Sequence, residues 1–174
     1  MDRERPRGER APARELALMV GLPGSGKTTF FRQRLAGTHV HVSGDAARGR
    51  GRERSAQLGM VGAALAAGRS VAVDNTNPTA AGRAEFVALA KATGATAVCY
   101  YFPPDVAASL ARNSLREGRA RVPPVAIHAA MRRMEVPTSQ EGFDGIYLVN
   151  ARRTGTVLVR RCRPAPFRSR SAPR

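Results

Sequence analysis

The chain is almost without lysine: of its 29 lysine and arginine residues, only Lys27 and Lys91 are lysines. Acid is scarce too, 13 aspartates and glutamates in all, so the formal net charge is +16. That balance disfavours cationic partners and points to an anionic one, nucleic acid or a membrane surface, and charge alone does not choose between them. No apolar run approaches the roughly 18 residues that a bilayer span needs. Residues 1–14 lack the apolar centre of a secretory signal, so a soluble, cytoplasmic protein is expected. Cysteine is limited to Cys99 and Cys162, expected as free thiols without a role. At 174 residues the length suits one compact domain rather than two.

Against this background, one stretch stands out. Gly21-Leu-Pro-Gly-Ser-Gly-Lys-Thr28 fits the phosphate-loop pattern of Gly, four free positions, Gly, Lys, then Ser or Thr. The apolar run 16–20 before it reads as a buried strand and residues 29–35 after it as a helix, the context the motif requires. Such a turn aims successive backbone N–H groups at one spot, and the helix that follows adds its unpaired amides and positive dipole end. Gly21, Gly24, Ser25, Gly26, Lys27, Thr28 and Thr29 are therefore expected to bind the phosphates of a nucleotide. Lys27 would reach the terminal phosphates, and the Thr28 hydroxyl would hold Mg²⁺. A lysine kept here, where arginine has replaced it almost everywhere, fits a need for a compact ammonium.

Four further strands are expected, at 38–43, 71–74, 95–102 and 145–149, with an antiparallel edge strand as an addition at 154–159. Helices are expected at 55–67, 79–93, from Asp105 through about 116, and 125–134. Asp45 and Asp74 are the only acids at the strand ends flanking the loop, where open α/β sheets bind ligands. Asp45 suits a carboxylate that takes a proton from an acceptor hydroxyl, although an aspartate there equally serves to cap a helix. Arg48, three residues on, would face the same side and could hold an acceptor phosphate. Asp74 closes an apolar strand, as a carboxylate reaching the Mg²⁺ shell would.

Residues 48–54 alternate arginine with glycine or glutamate and read as a flexible basic loop, either tracking a phosphate backbone or merely solvated. Arg112, Arg116, Arg119 and Arg121 lie around a Gly- and Pro-bearing interruption whose composition suits a mobile lid presenting guanidinium groups to phosphate. His39 and His41 share one face of their strand and are read as ordinary strand residues, since no metal-ligand partners are evident. Tyr100 and Tyr101, inside an apolar run, read as core rather than as a base-stacking platform. Residues 1–14 and 161–174 read as disordered basic tails around a domain at 15–160.

Taken in order, the phosphate loop, Ser43-Gly-Asp-Ala-Ala-Arg48, Val73-Asp-Asn-Thr-Asn-Pro78, Arg112-Asn-Ser-Leu-Arg116 and Arg121-Val-Pro123 resemble the kinase part of the polynucleotide 5′-hydroxyl kinase family. The similarity runs over about residues 16–149. It implies an α/β, three-layer P-loop kinase fold: a mainly parallel five-stranded sheet, helices on both faces and an arginine-bearing lid. It also implies that Asp45 is the general base for a 5′-hydroxyl of DNA or RNA, that Arg48 holds the neighbouring phosphate, and that Arg116 is the lid arginine on the donor phosphates. ATP or another NTP would be the donor, with Mg²⁺ at Thr28 and Asp74. Many relatives carry a fused phosphatase domain with an Asp-x-Asp-Gly-Thr motif. That motif is absent from this sequence, so 3′-phosphate removal is not expected. Two rivals share the loop: a kinase of a small-molecule hydroxyl, and a nucleotide-switched nucleic-acid-binding module that needs no base at Asp45.

Overall fold

The structure, a computed structural model, describes residues 14–44, 52–151 and 157–162. Asp45 and Arg48 lie outside the described residues, as do 1–13 and 163–174.

The first strand, β1 (Glu15–Val20), is apolar on both sides because it is buried on both sides, as a central parallel strand must be. Leu16 and Leu18 face one layer, with Val71 and Val73 of β3 (Ser70–Asp74); Ala17 and Met19 face the other, with Ala72. On the first face lie α2 (Arg52–Ala66) and α3 (Ala80–Ala92), which bury Val61, Leu65, Phe86 and Val87. On the second lies α1 (Lys27–Arg34), which buries Phe30 and Phe31.

The sheet runs β2 (His39–Ser43), β3, β1, β4 (Thr96–Tyr101), β5 (Gly145–Ala151), β6 (Val157–Arg161). The first five strands are parallel and β6 returns antiparallel along β5, which realises the edge strand as the sixth. The expected three-layer α/β architecture is therefore the observed one. Between β4 and β5, α4 (Val106–Ser114) packs on α5 (Pro124–Arg132). Among the described residues no helix is long and apolar enough to cross a membrane.

Local chemistry sets several boundaries. The Thr79 hydroxyl accepts from the Gly82 N–H at the start of α3, and the Asp105 carboxylate accepts from the Ala108 N–H at the start of α4, as side-chain caps do. One expectation needs correction. Arg54, expected in a flexible loop, sits in the first turn of α2, its guanidinium 4.1 Å over the Phe86 ring and its Nε 2.7 Å from Glu85. Those contacts with α3 anchor a turn that the sequence alone marks as basic and glycine-rich. Arg14 donates to the carbonyls of Leu65 at 3.1 Å and Thr93 at 2.9 Å, and Arg161 closes β6. Tyr101 is core, as expected, while Tyr100 is half-buried and stacks on Tyr147.

Candidate active site

The site is assembled where β1 and β3 end. After Val20 the chain turns through the phosphate loop and enters α1 at Lys27, with Gly26 as its N-cap at φ 101°. Gly24 is at φ +80°, and a Cβ there would come within 2.6 Å of the Ser109 carbonyl oxygen. Only glycine suits both the left-handed turn and that approach of α4. The loop and the end of the strand that leads into it are fixed from outside at three points. The Gly21 N–H donates to the Thr76 carbonyl at 3.1 Å, the Asn77 amide donates to the Met19 carbonyl at 2.8 Å, and Arg112 donates to the Gly24 carbonyl at 2.9 Å.

Lys27 is buried, and its Nζ donates to the carbonyls of Gly21 and Leu22, both at 2.9 Å. The ammonium is thus held against the loop whose amides it would complement on a phosphate. Ser25 is buried as well, its hydroxyl without a hydrogen-bond partner among the described residues. Thr29 is exposed in the first turn of α1.

Thr28 and Asp74, read separately from the sequence, meet directly. The Thr28 hydroxyl donates to Asp74 Oδ2 at 2.6 Å. Asp74 is only 2% exposed, and its other oxygen, Oδ1, is buried with no hydrogen-bond partner among the described residues. An orphaned carboxylate oxygen is costly in a protein interior, and a hydroxyl whose proton is committed to the carboxylate still has lone pairs to offer. A magnesium ion fits this donor set, since it binds through one or two carboxylate or hydroxyl oxygens plus substrate phosphates. Among the described residues there is no cluster of three or more His, Cys, Asp or Glu that could hold a metal.

A third partner was not legible in the sequence. His41 Nε2 lies 3.1 Å from Asp74 Oδ2, and its ring stacks on Phe31 with centroids 4.1 Å apart. At the carboxyl end of β2, the Gly44 N–H donates to Asn75 Oδ1 at 2.6 Å, and the Asn75 amide donates to Gln57 at 2.8 Å. A Cβ on Gly44 would fall 2.9 Å from Gln57 and 3.0 Å from Asn75, so the backbone leading into Asp45 is pinned by close approach.

Of the arginines expected in a lid, Arg112 touches the phosphate loop, whereas Arg116 Nη1 lies 3.4 Å from the Ala120 carbonyl within its own turn. That turn, with a 3₁₀ segment at Gly118–Ala120, is fastened by buried Asn113. Its amide donates to the Val122 carbonyl at 2.7 Å and its carbonyl accepts from the Val122 N–H at 3.0 Å. Beside the loop opens a pocket of about 290 Å³ lined by Ser25, Phe102, Pro103, Ser109, Arg112 and Asn150, among others.

A family profile described as an AAA domain matches residues 16–137 of this chain. The chain belongs to that family. It is 29% identical over 143 residues to a protein of Acanthamoeba polyphaga mimivirus named as a bifunctional polynucleotide phosphatase/kinase, over 78% of this chain and 33% of the other. It is 25% identical over 136 residues to the bifunctional polynucleotide phosphatase/kinase of Schizosaccharomyces pombe, over 76% of this chain and 32% of that one. The resemblance read from the motifs is borne out by these matches, although the chain spans only about a third of the length of those relatives.

Among solved structures, Chaetomium thermophilum Kti12 in complex with ADP-AlF3 superposes with a TM-score of 0.60 at 17% identity, covering 80% of this chain and 92% of that one. A gluconokinase from Sinorhizobium meliloti 1021 gives 0.56 at 19% identity, covering 81% and 83%. Both share the fold. The chain therefore has a P-loop kinase fold, and the fold alone does not choose the acceptor.

Proposed function

We propose that this domain transfers the γ-phosphate of an NTP to the 5′-hydroxyl end of DNA or RNA. The observation that carries the reading is the pair of polynucleotide phosphatase/kinase relatives, which align over three quarters of the chain. The net charge of +16 supports an anionic polymer as acceptor.

In this reading the loop amides and the N-terminus of α1 cradle the donor phosphates. The pocket lined by Ser25, Phe102, Ser109 and Arg112 takes the nucleoside part. Lys27 neutralises charge on the β and γ phosphates as they separate, and Thr28 and Asp74 hold Mg²⁺. Bound there, Mg²⁺ supplies further neutralisation of the phosphate oxygens. The 5′-oxygen forms a bond to the γ-phosphorus while the bond from phosphorus to the β–γ bridging oxygen breaks. The bonding electrons leave with the nucleoside diphosphate, and the hydroxyl proton passes to Asp45. Arg48 holds the acceptor's neighbouring phosphate, and Arg116 meets the transferring charge once the donor is bound. Gln57 and Asn75 support this by fixing Gly44, the residue before the base.

Asp45→Asn keeps the side-chain shape and removes the base, so transfer should fall by about 10²-fold or more while nucleotide binding persists. Arg48→Ala should raise the oligonucleotide KM and lower the log–log salt slope by about 0.7 to 0.9, the share of one phosphate contact. Undiminished transfer by Asp45→Asn would remove the base from the mechanism.

A further inference from the structure

We propose that His41 is a positioning residue for the metal-holding carboxylate: its Nε2–H fixes Asp74 so that Oδ1 stays directed to the ion shared with Thr28. The inference rests on the Mg²⁺ part of the reading above and not on the identity of the acceptor.

The geometry comes from sheet register. His41 lies opposite Ala72 and Ser43 lies opposite Asp74, so His41 and Asp74 share the face that α1 covers, one step apart along it. Ala72 presents only a methyl group across from His41, which leaves the imidazole room to reach diagonally to Asp74. The ring plane is set by Phe31, stacked at an interplanar angle of 18°. Phe31 is three residues after Thr28 on α1, and positions three apart share a helix face. One face of one helix thus delivers both the hydroxyl that meets Asp74 and the ring that orients its second partner. An ionised carboxylate only accepts hydrogen bonds, so the His41 nitrogen 3.1 Å away must be the one carrying the proton.

The Asp74 side chain is 3% exposed and that of His41 35%. The carboxylate is therefore cut off from water while the imidazole remains partly exposed. With Oδ2 taking donors from Thr28 and His41, the carboxylate cannot rotate without breaking two hydrogen bonds. The contrast with His39 supports a specific role. Two residues earlier on the same face, His39 pairs with Glu15 at 3.3 Å, at the amino end of the strands and away from the loop. Outer-shell partners of this kind set ligand orientation, and their loss typically lowers metal affinity about 10- to 100-fold.

The test measures binding of a non-transferable ATP analogue, β,γ-imido-ATP, to the full chain in Mg²⁺ and in EDTA. The ratio of the two affinities is the coupling between metal and nucleotide. His41→Ala should reduce that ratio about tenfold while the affinity in EDTA, set by the loop amides and Lys27, is kept. His41→Gln, whose amide nitrogen occupies the place of Nε2, should restore the ratio. His41→Phe keeps a ring to stack on Phe31 but has no donor, and should behave like His41→Ala. Thermal melts confirm that each variant is folded. A full Mg²⁺ enhancement in His41→Phe, or a Gln variant no better than Ala, would overturn the assignment. So would equal losses in EDTA and in Mg²⁺, which would mark a role in loop integrity alone, or an unmutated chain with no Mg²⁺ enhancement. Failure to phosphorylate an oligonucleotide would leave this ratio untouched, so the two readings fail separately.

Discussion

Arg83 offers the most demanding test of how the fold supports the site. It is 0% exposed, and its guanidinium makes five hydrogen bonds: two to the Glu141 carboxylate, at 2.6 and 2.8 Å, and one each at 3.1 Å to the carbonyls of Asn77, Pro78 and Glu135. Asn77 and Pro78 belong to the turn after β3 that holds the phosphate loop through Thr76 and Met19. Arg83→Ala would leave a carboxylate whose side chain is only 10% exposed without its cation and take one donor from each of three carbonyls, of which, among the described residues, only that of Pro78 keeps another, the Glu135 N–H at 2.8 Å. Breaking a buried pair from one side costs about 3 to 5 kcal/mol, a large share of the roughly 5 to 15 kcal/mol that holds a typical domain. At about 2 to 4 °C per kcal/mol for a chain of this size, the melting temperature should fall by about 6 to 20 °C. Arg83→Met with Glu141→Leu removes both charges and should recover part of the loss, the remainder reflecting the three carbonyls. Urea unfolding of the single and double variants measures both quantities. A loss below about 1 kcal/mol for Arg83→Ala, or a double variant no more stable than the single, would refute the reasoning.

Gly24→Ala should weaken nucleotide binding about tenfold or more, because the new Cβ meets both a disfavoured φ and the Ser109 carbonyl; unchanged affinity would contradict the packing of α4 on the loop. The two cysteines should separate chemically. Cys162 is exposed, while burial pushes the Cys99 thiol from 9.0 to about 12, so a thiol reagent at neutral pH should reach Cys162 in the folded chain and Cys99 only after unfolding. Because the folded state keeps the Cys99 proton up to about 12, the unfolded chain binds fewer protons between those values, and stability should fall as pH rises from about 9 toward 12. Burial, aided by Glu15 and Tyr147, pushes Tyr100 from 10.0 to about 12 and adds to the same slope. Urea midpoints across that range should show the decline, shallower in Cys99→Ala.

The parts of this account that sequence made legible are those whose chemistry is local. The phosphate loop announces itself because its turn needs glycine at fixed places and its helix must start at once. Asp74 could be placed at the end of β3 because the apolar run there closes on an acid. The limits of α3 were legible too, expected at 79–93 and observed at Ala80–Ala92. What remained hidden depends on partners distant in the chain. His41 looked ordinary because only the β2–β3 register and the docking of α1 bring Asp74 and Phe31 to it. Arg54 looked like part of a basic loop because Phe86 and Glu85 are 31 or more residues away. Arg112 was one of four lid arginines, and nothing but the packing of α4 on Gly24 distinguishes it. Arg83 carried no signal at all: an arginine among 29 basic residues does not show that it is the buried one.

The central claim is a choice of acceptor, and transfer of label from γ-labelled ATP tests it most directly. The acceptors are a 5′-hydroxyl oligonucleotide, the same strand already 5′-phosphorylated, and gluconate as a small hydroxyl acceptor. The account expects label on the 5′-hydroxyl strand alone, lost in Lys27→Ala. Label on gluconate without the oligonucleotide, or equal label on both strands, would contradict it.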